Sequence, residues 1–180
     1  PKLSLHRQGV RLAPALLAFA MGSPAQAMWD TSDSDRFAGD VIQLAIPAAG
    51  LAMAYAKDDS TGMKMLGKTV VANAVATKDS KRIQFNQLGE TPNGGSYSFP
   101  SGHTSSACAG AAFIGQRYGW RYGSLAMIPA AYVGWARVDA GLHHSRDVVA
   151  GCALGITSGL IFTQPLPGNT TVTPFLDKKV

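Results

Sequence analysis

Phe99-Pro100-Ser101-Gly102-His103 opens an apolar run that begins at Thr104 and ends near Tyr118. Pro100-Ser101 ahead of such a run reads as the start of a helix, with Ser101 as a capping residue. The first N–H groups of a helix have no internal partner and point at whatever anion sits there. Gly102, without a Cβ, lets the chain come close to that anion. The corner therefore predicts an anion site at a helix N-terminus, with the His103 imidazole beside it.

Working outward, a second histidine follows 40 residues later in the pattern Arg137, His143, Asp147. A transferring phosphoryl group carries spread negative charge, so its site needs fixed cations and aimed N–H donors. Arg137 and the Ser101-Gly102 backbone supply these. His103 is placed to protonate a leaving oxygen as general acid. His143 is placed to attack phosphorus, and Asp147, four residues on, reads as its partner one helical turn away on the same face. Each piece has a plainer meaning alone, since Ser-Gly-His occurs at ordinary helix starts and His-x3-Asp is a routine helical pair. Their joint occurrence favours phosphoryl transfer.

Ser98-Phe99-Pro100-Ser101-Gly102-His103 and Arg137-x5-His143-x3-Asp147 resemble the second and third signatures of the type 2 phosphatidic-acid phosphatase and vanadium haloperoxidase superfamily, over roughly Thr91 to Gly159. The resemblance implies that His143 forms a phosphohistidine, Asp147 orients it and His103 is the acid. It also implies that Arg137, Ser101 and Gly102 cradle the phosphate, and that no metal or other cofactor is needed. The family's first signature, Lys-x6-Arg-Pro, is degenerate here: alignment on Thr91-Pro92-Asn93-Gly94 puts Gln84 at the lysine and Thr91 at the arginine. Lys78, Lys81, Arg82 and Arg146 are the candidate compensating cations. The expected activity is metal-independent hydrolysis of a phosphate monoester or pyrophosphate, on a lipid or a small molecule. The alternatives are a non-catalytic phospholipid-binding or structural relative, favoured by Gln84 and Thr91, and a vanadate-dependent haloperoxidase.

At the amino terminus, Lys2, Arg7 and Arg11 precede a short apolar stretch, Leu12 to Met21, and Ala25-Gln26-Ala27 fits a small-residue cleavage site. Residues 1–27 therefore read as an export signal rather than a span, for which about 20 apolar residues are needed. Its removal takes away three cations and lowers the formal charge from +5 to +2. The pI near 9.4 then argues for no nucleic-acid partner, and the chain has no basic patch interleaved with aromatics.

Residues 28–163 are expected to form one all-α domain, a bundle of about five helices with the active site at one end, followed by an irregular tail over 164–180. The punctuation predicts helices over about Phe37–Ala56 with Pro47 as a kink, Met63–Lys78, Thr104–Tyr118, a fourth from the Gly119–Gly123 turn to Arg137, and Asp147–Phe162. Gly151, Gly155 and Gly159 make a stripe that permits close helix approach. Cys108 and Cys152 are expected as buried free thiols, with a disulfide open in an oxidising compartment. His144 reads as a solvent-facing bystander. The uncharged segments Val41–Ala56 and Val148–Thr163 lie at the lower limit for spanning a bilayer. A mean hydropathy of +0.06 tips the balance to an exported, periplasmic, membrane-associated protein. An inner-membrane chain with a periplasm-facing site is the alternative.

Overall fold

The computed structural model describes residues 33–82 and 89–167. The expected signal segment, Gln84 and the end of the tail lie outside the described residues. The architecture is all-α: α1 Asp33–Ala56, α2 Ser60–Arg82, α3 Gly102–Tyr118, α4 Trp120–Asp139 and α5 Ser145–Phe162. Among the described residues the extended pairing is a single isolated bridge between Glu90 and Ser96.

Helix α3 is the axis of the bundle and packs on each of the other four helices. It is buried almost throughout, yet it is built of Ala, Gly, Ser and Cys rather than large apolar residues. Small side chains let neighbouring backbones approach, and dispersion contacts then replace side-chain bulk. The glycine stripe of α5 shows this most clearly. A Cβ at Gly151 would stand 2.4 Å from Ser101 O, and one at Gly155 would stand 2.2 Å from Ser105 O. The stripe predicted from sequence is thus the seam along which α5 lies on α3.

That seam overturns the free-thiol expectation. Cys108 and Cys152 face each other across it with Cα atoms 5.2 Å apart and form a disulfide, a separation well within disulfide range. The expected Gly119–Gly123 turn is also shorter than predicted. Gly119 alone, at φ 107°, separates α3 from α4, a conformation open to glycine. A Cβ at Gly123 would stand 2.4 Å from Gly115 Cα, so the two helices leave the corner in close contact. Helices α1 and α2 begin earlier than predicted, at Asp33 and Ser60, and α1 continues through Pro47.

At the pole away from the predicted site, Asp59 ties three elements together. Arg117 donates to it through Nε at 2.7 Å and Nη2 at 2.6 Å, Tyr118 through its hydroxyl at 3.0 Å, and Gly62 through its N–H at 2.8 Å. The guanidinium holds the Asp59 carboxyl down to about 2.

By length and composition, Ser34–Ala56 and Ser145–Phe162 could each cross a membrane. Both carry large apolar side chains on the outside: Phe37, Val41, Leu44, Leu51 and Tyr55 on α1, Val149, Ile161 and Phe162 on α5.

Candidate active site

Ser101 is the N-cap of α3: its backbone is extended, and its Oγ accepts from Thr104 N at 3.5 Å and lies 3.0 Å from Thr104 Oγ1. Gly102 and His103 form the first turn, as the Pro-Ser-Gly-His corner predicts. The Ser101 N–H is taken by Asp147 O at 2.9 Å, so Ser101 anchors the corner to α5 from behind. From the far side of the bundle, the last turn of α4 delivers Arg137, and the chain break that follows, with Gly141 at φ 65°, delivers His143. His143 N donates to Arg137 O at 3.2 Å, which ties the two residues' backbones.

Gly102, His103, Arg137, His143 and Lys81 all line one cavity of about 630 Å³. Two imidazoles, a guanidinium, an ammonium and a helix N-terminus therefore share one space. Thr91, at the position of the family's arginine, lines it too. Of the other candidate cations, Lys78 faces a neighbouring cavity, and Arg146 is half exposed with Nε 3.6 Å from Asp147 Oδ1. The Arg82 side chain lies outside the described residues. Among the candidate cations whose side chains are described, Lys81 reaches the pocket, where its Nζ donates to Tyr97 O at 2.5 Å. It stands in the last turn of α2, three positions before Gln84 in the sequence.

Asp147 and His143 do not share a helix face. Helix α5 begins at Ser145 with His144 as its N-cap, which places His143 before the helix. The separation of His143 Nδ1 from Asp147 Oδ2 is 3.9 Å, too long for a hydrogen bond. Asp147 Oδ2 instead accepts from the buried Ser98 hydroxyl at 2.5 Å and from His144 N at 2.8 Å. His144 is thus a half-buried cap rather than a free surface residue. His143 Nδ1, Asp147 Oδ1 and Arg137 Nε are buried without a hydrogen-bond partner.

Sequence reasoning missed the wall contributed by α1. Arg36, Asp40 and Gln43 line the cavity. Asp40 Oδ1 lies 3.0 Å from His103 Nε2 and forms a short ion pair with Arg137 Nη2, which also donates to Arg36 O at 3.2 Å. Gly39 permits this approach, since a Cβ there would stand 3.1 Å from Arg137 Nη2. The available signal was Arg36 and Asp40 at i and i+4, the last charges before the uncharged remainder of α1. Ser98, by contrast, left no spacing signal.

The electrostatics follow from crowding. Burial, reinforced by Lys81, holds the His143 imidazole down to about 4 despite the opposing pull of Asp147. Burial and Arg137 lower His103, while Asp40 pulls it back up. Burial lowers Lys81, against Asp147. A neutral imidazole with a free lone pair, set among cations, suits nucleophilic attack on an anionic electrophile.

The chain is 28% identical over 138 residues to the lipid A 1-phosphatase of Helicobacter pylori strain 26695, covering 72% of this chain and 68% of that protein. It is 29% identical over 147 residues to that of strain J99, covering 77% and 72%. With the lipid A 1-phosphatase of Porphyromonas gingivalis it shares 32% over 127 residues, covering 64% of this chain and 26% of the relative. No solved structure matches it. The model of the PAP2 superfamily matches residues 66–170, which takes in His103, His143, Arg137, Lys81, most of α2 and all of α3 to α5 but not the Asp40 wall, and on that match the chain belongs to the PAP2 superfamily.

Proposed function

We propose that this chain is a metal-independent phosphatase that removes a phosphate group from a lipid, through a phosphohistidine on His143. The observation that carries the reading is the convergence of His103, His143, Arg137 and Lys81 on one cavity in a chain of this family. His143, with Nδ1 turned to Asp147, attacks phosphorus through Nε2. The phosphorus–oxygen bond to the leaving group breaks, and His103 gives that oxygen its proton. Water then attacks phosphorus while His103 takes a proton from it, the phosphorus–nitrogen bond to His143 breaks, and inorganic phosphate leaves. Arg137, with its unpartnered Nε, Lys81 and the Gly102 and His103 N–H groups balance the charge that builds on the equatorial oxygens. Lys81 takes the place left by Gln84, and Arg36 supports it from the opposite wall. Asp147 acts on His143 by its field and by fixing the α5 N-terminus.

Both free histidines are held low, and an incoming phosphate dianion raises them, so His103 acquires the proton that it must give once substrate is bound. The names of the relatives favour lipid A, at its 1-phosphate, as the substrate. The exposed apolar side chains of α1 and α5 support the inner-membrane alternative over a soluble chain, with the catalytic pole facing the periplasm. The test is phosphate release by the purified full chain from lipid A, phosphatidate and p-nitrophenyl phosphate. His143→Ala abolishes release from whichever is hydrolysed. Release that survives this change overturns the mechanism.

A further inference from the structure

A second cavity, of about 300 Å³, lies between α2 and α3, roughly ten water-sized volumes. It adjoins the catalytic pocket, because Lys81 and Gly102 line both. Its α2 wall is a single helical stripe, graded along its length. Val70 and Ala74 come first, Thr77 and Lys78 follow, and Lys81 stands at the catalytic end. From Val70 to Lys81 the stripe runs about 16 Å at the helical rise.

Apart from Lys78 and Lys81, the polar side chains of this cavity are engaged by neighbouring groups. Asn73 Oδ1 accepts from Ser105 Oγ at 2.6 Å, the Thr77 hydroxyl donates to Ser105 Oγ at 3.4 Å, and the Ser106 hydroxyl donates to Gln43 O at 3.2 Å. With those atoms satisfied elsewhere, the surface left to an occupant is mostly hydrocarbon, with Ala109 as part of its α3 side. Val71 and Val75 add exposed apolar surface to the same helix.

We infer that this groove binds a hydrocarbon chain of the lipid whose phosphate enters the pocket. The inference rests on the phosphatase reading for the identity of the headgroup site. An apolar stripe that ends in an ammonium shared with the phosphate pocket is complementary to an amphiphile with an anionic head. A small phosphate ester uses only the pocket, whereas a lipid fills pocket and groove together. Burial of each methylene in the groove adds affinity by the hydrophobic effect.

The experiment is equilibrium binding of straight-chain alkylphosphonates, from ethyl to dodecyl, to the detergent-solubilised full chain, its Ala74→Trp variant and its Val70→Trp variant. Both sites are exposed on α2, so a bulky ring there fills the groove without entering the core. In the parent, affinity rises about fourfold for each methylene taken up and then levels off; in the variants it levels off at a shorter chain. Affinity independent of chain length overturns the inference. So does a rise that both variants leave unchanged, which marks partition into detergent. Because binding is read without turnover, a groove failure shows as flat chain dependence beside intact p-nitrophenyl phosphate hydrolysis. Failure of the phosphatase reading shows as no hydrolysis of any ester while chain-dependent binding persists.

Discussion

Replacing Lys81 by Ala tests how this chain manages without the family's first-signature lysine. Its Nζ is drawn into the pocket by Tyr97 O, 2.5 Å away, and faces the same space as Arg137 and His143. A charge-assisted hydrogen bond to an anion is worth about 1.5–3 kcal/mol, so losing it lowers kcat/KM roughly 10- to 150-fold at 1.36 kcal/mol per decade. A second effect follows from the field. Lys81 is the main charge that lowers His143, whose pKa lies at about 4; without it that pKa rises towards the ordinary value of 6.5. The nucleophile acts when neutral, above its pKa, so the acid limb of the kcat/KM profile moves to higher pH. A merely structural loss, through the Tyr97 loop, lowers the melting temperature but leaves that limb in place. Phosphate release by Lys81→Ala and Lys81→Arg across pH reads both effects, with Arg restoring part of the rate. Arg146→Ala, at a half-exposed site outside the cavity, costs less than Lys81→Ala. Full kcat/KM in Lys81→Ala with an unmoved acid limb refutes the reasoning.

Asp40→Asn removes the carboxylate that holds Arg137 and raises His103. Inhibition by inorganic phosphate tightens, and the alkaline limb moves to lower pH, by less than about 0.7 unit because a partly exposed pair is worth ~0.2–1 kcal/mol. A limb moving the other way contradicts the assignment of His103 as acid. Asp59→Ala leaves the Arg117 guanidinium buried without its carboxylate and costs about 3–5 kcal/mol in thermal or denaturant unfolding. In the parent, the Asp59 contribution is complete above its ordinary 3.8 and lost as pH falls through about 2, which a dichroism-monitored acid titration follows. Cys108→Ser with Cys152→Ser opens a loop spanning 44 residues, worth about 4 kcal/mol of chain entropy, read as a lower denaturation midpoint. Gly155→Ala drives a methyl group into the Ser105 carbonyl and Ala109 N; backbone cannot yield as a side chain tip can, and the loss exceeds the ~1–3 kcal/mol of ordinary overpacking.

The corner at Ser101 was legible because its reasons are local. A capping hydroxyl reaches an N–H three residues away, and glycine next to it leaves the helix end open, so six consecutive residues specify the feature. The α5 glycine stripe was legible for the same reason, as a periodicity on one helix. Reading His143 and Asp147 as a helical pair failed because one cap residue, His144, starts the helix after the histidine. The spacing of four was right, and the geometry behind it was different. The disulfide was missed because its formation depends on the register of α5 along α3, and either cysteine alone looks like a small apolar residue.

By itself the sequence determined the five helices, the histidine, arginine and carboxylate types that the chemistry uses, and the family to which their spacing leads. Tertiary structure decided which cation reaches the pocket and which acid faces the histidine. Lys78, Lys81 and Arg82 are neighbours in the chain, yet helical rotation aims Lys81 at the catalytic pocket and Lys78 at the groove. Asp40 meets Arg137 across a separation of 97 residues. Neighbouring residues fix hydrogen bonds along a helix, whereas convergence across the bundle depends on how closely small side chains let whole helices pack.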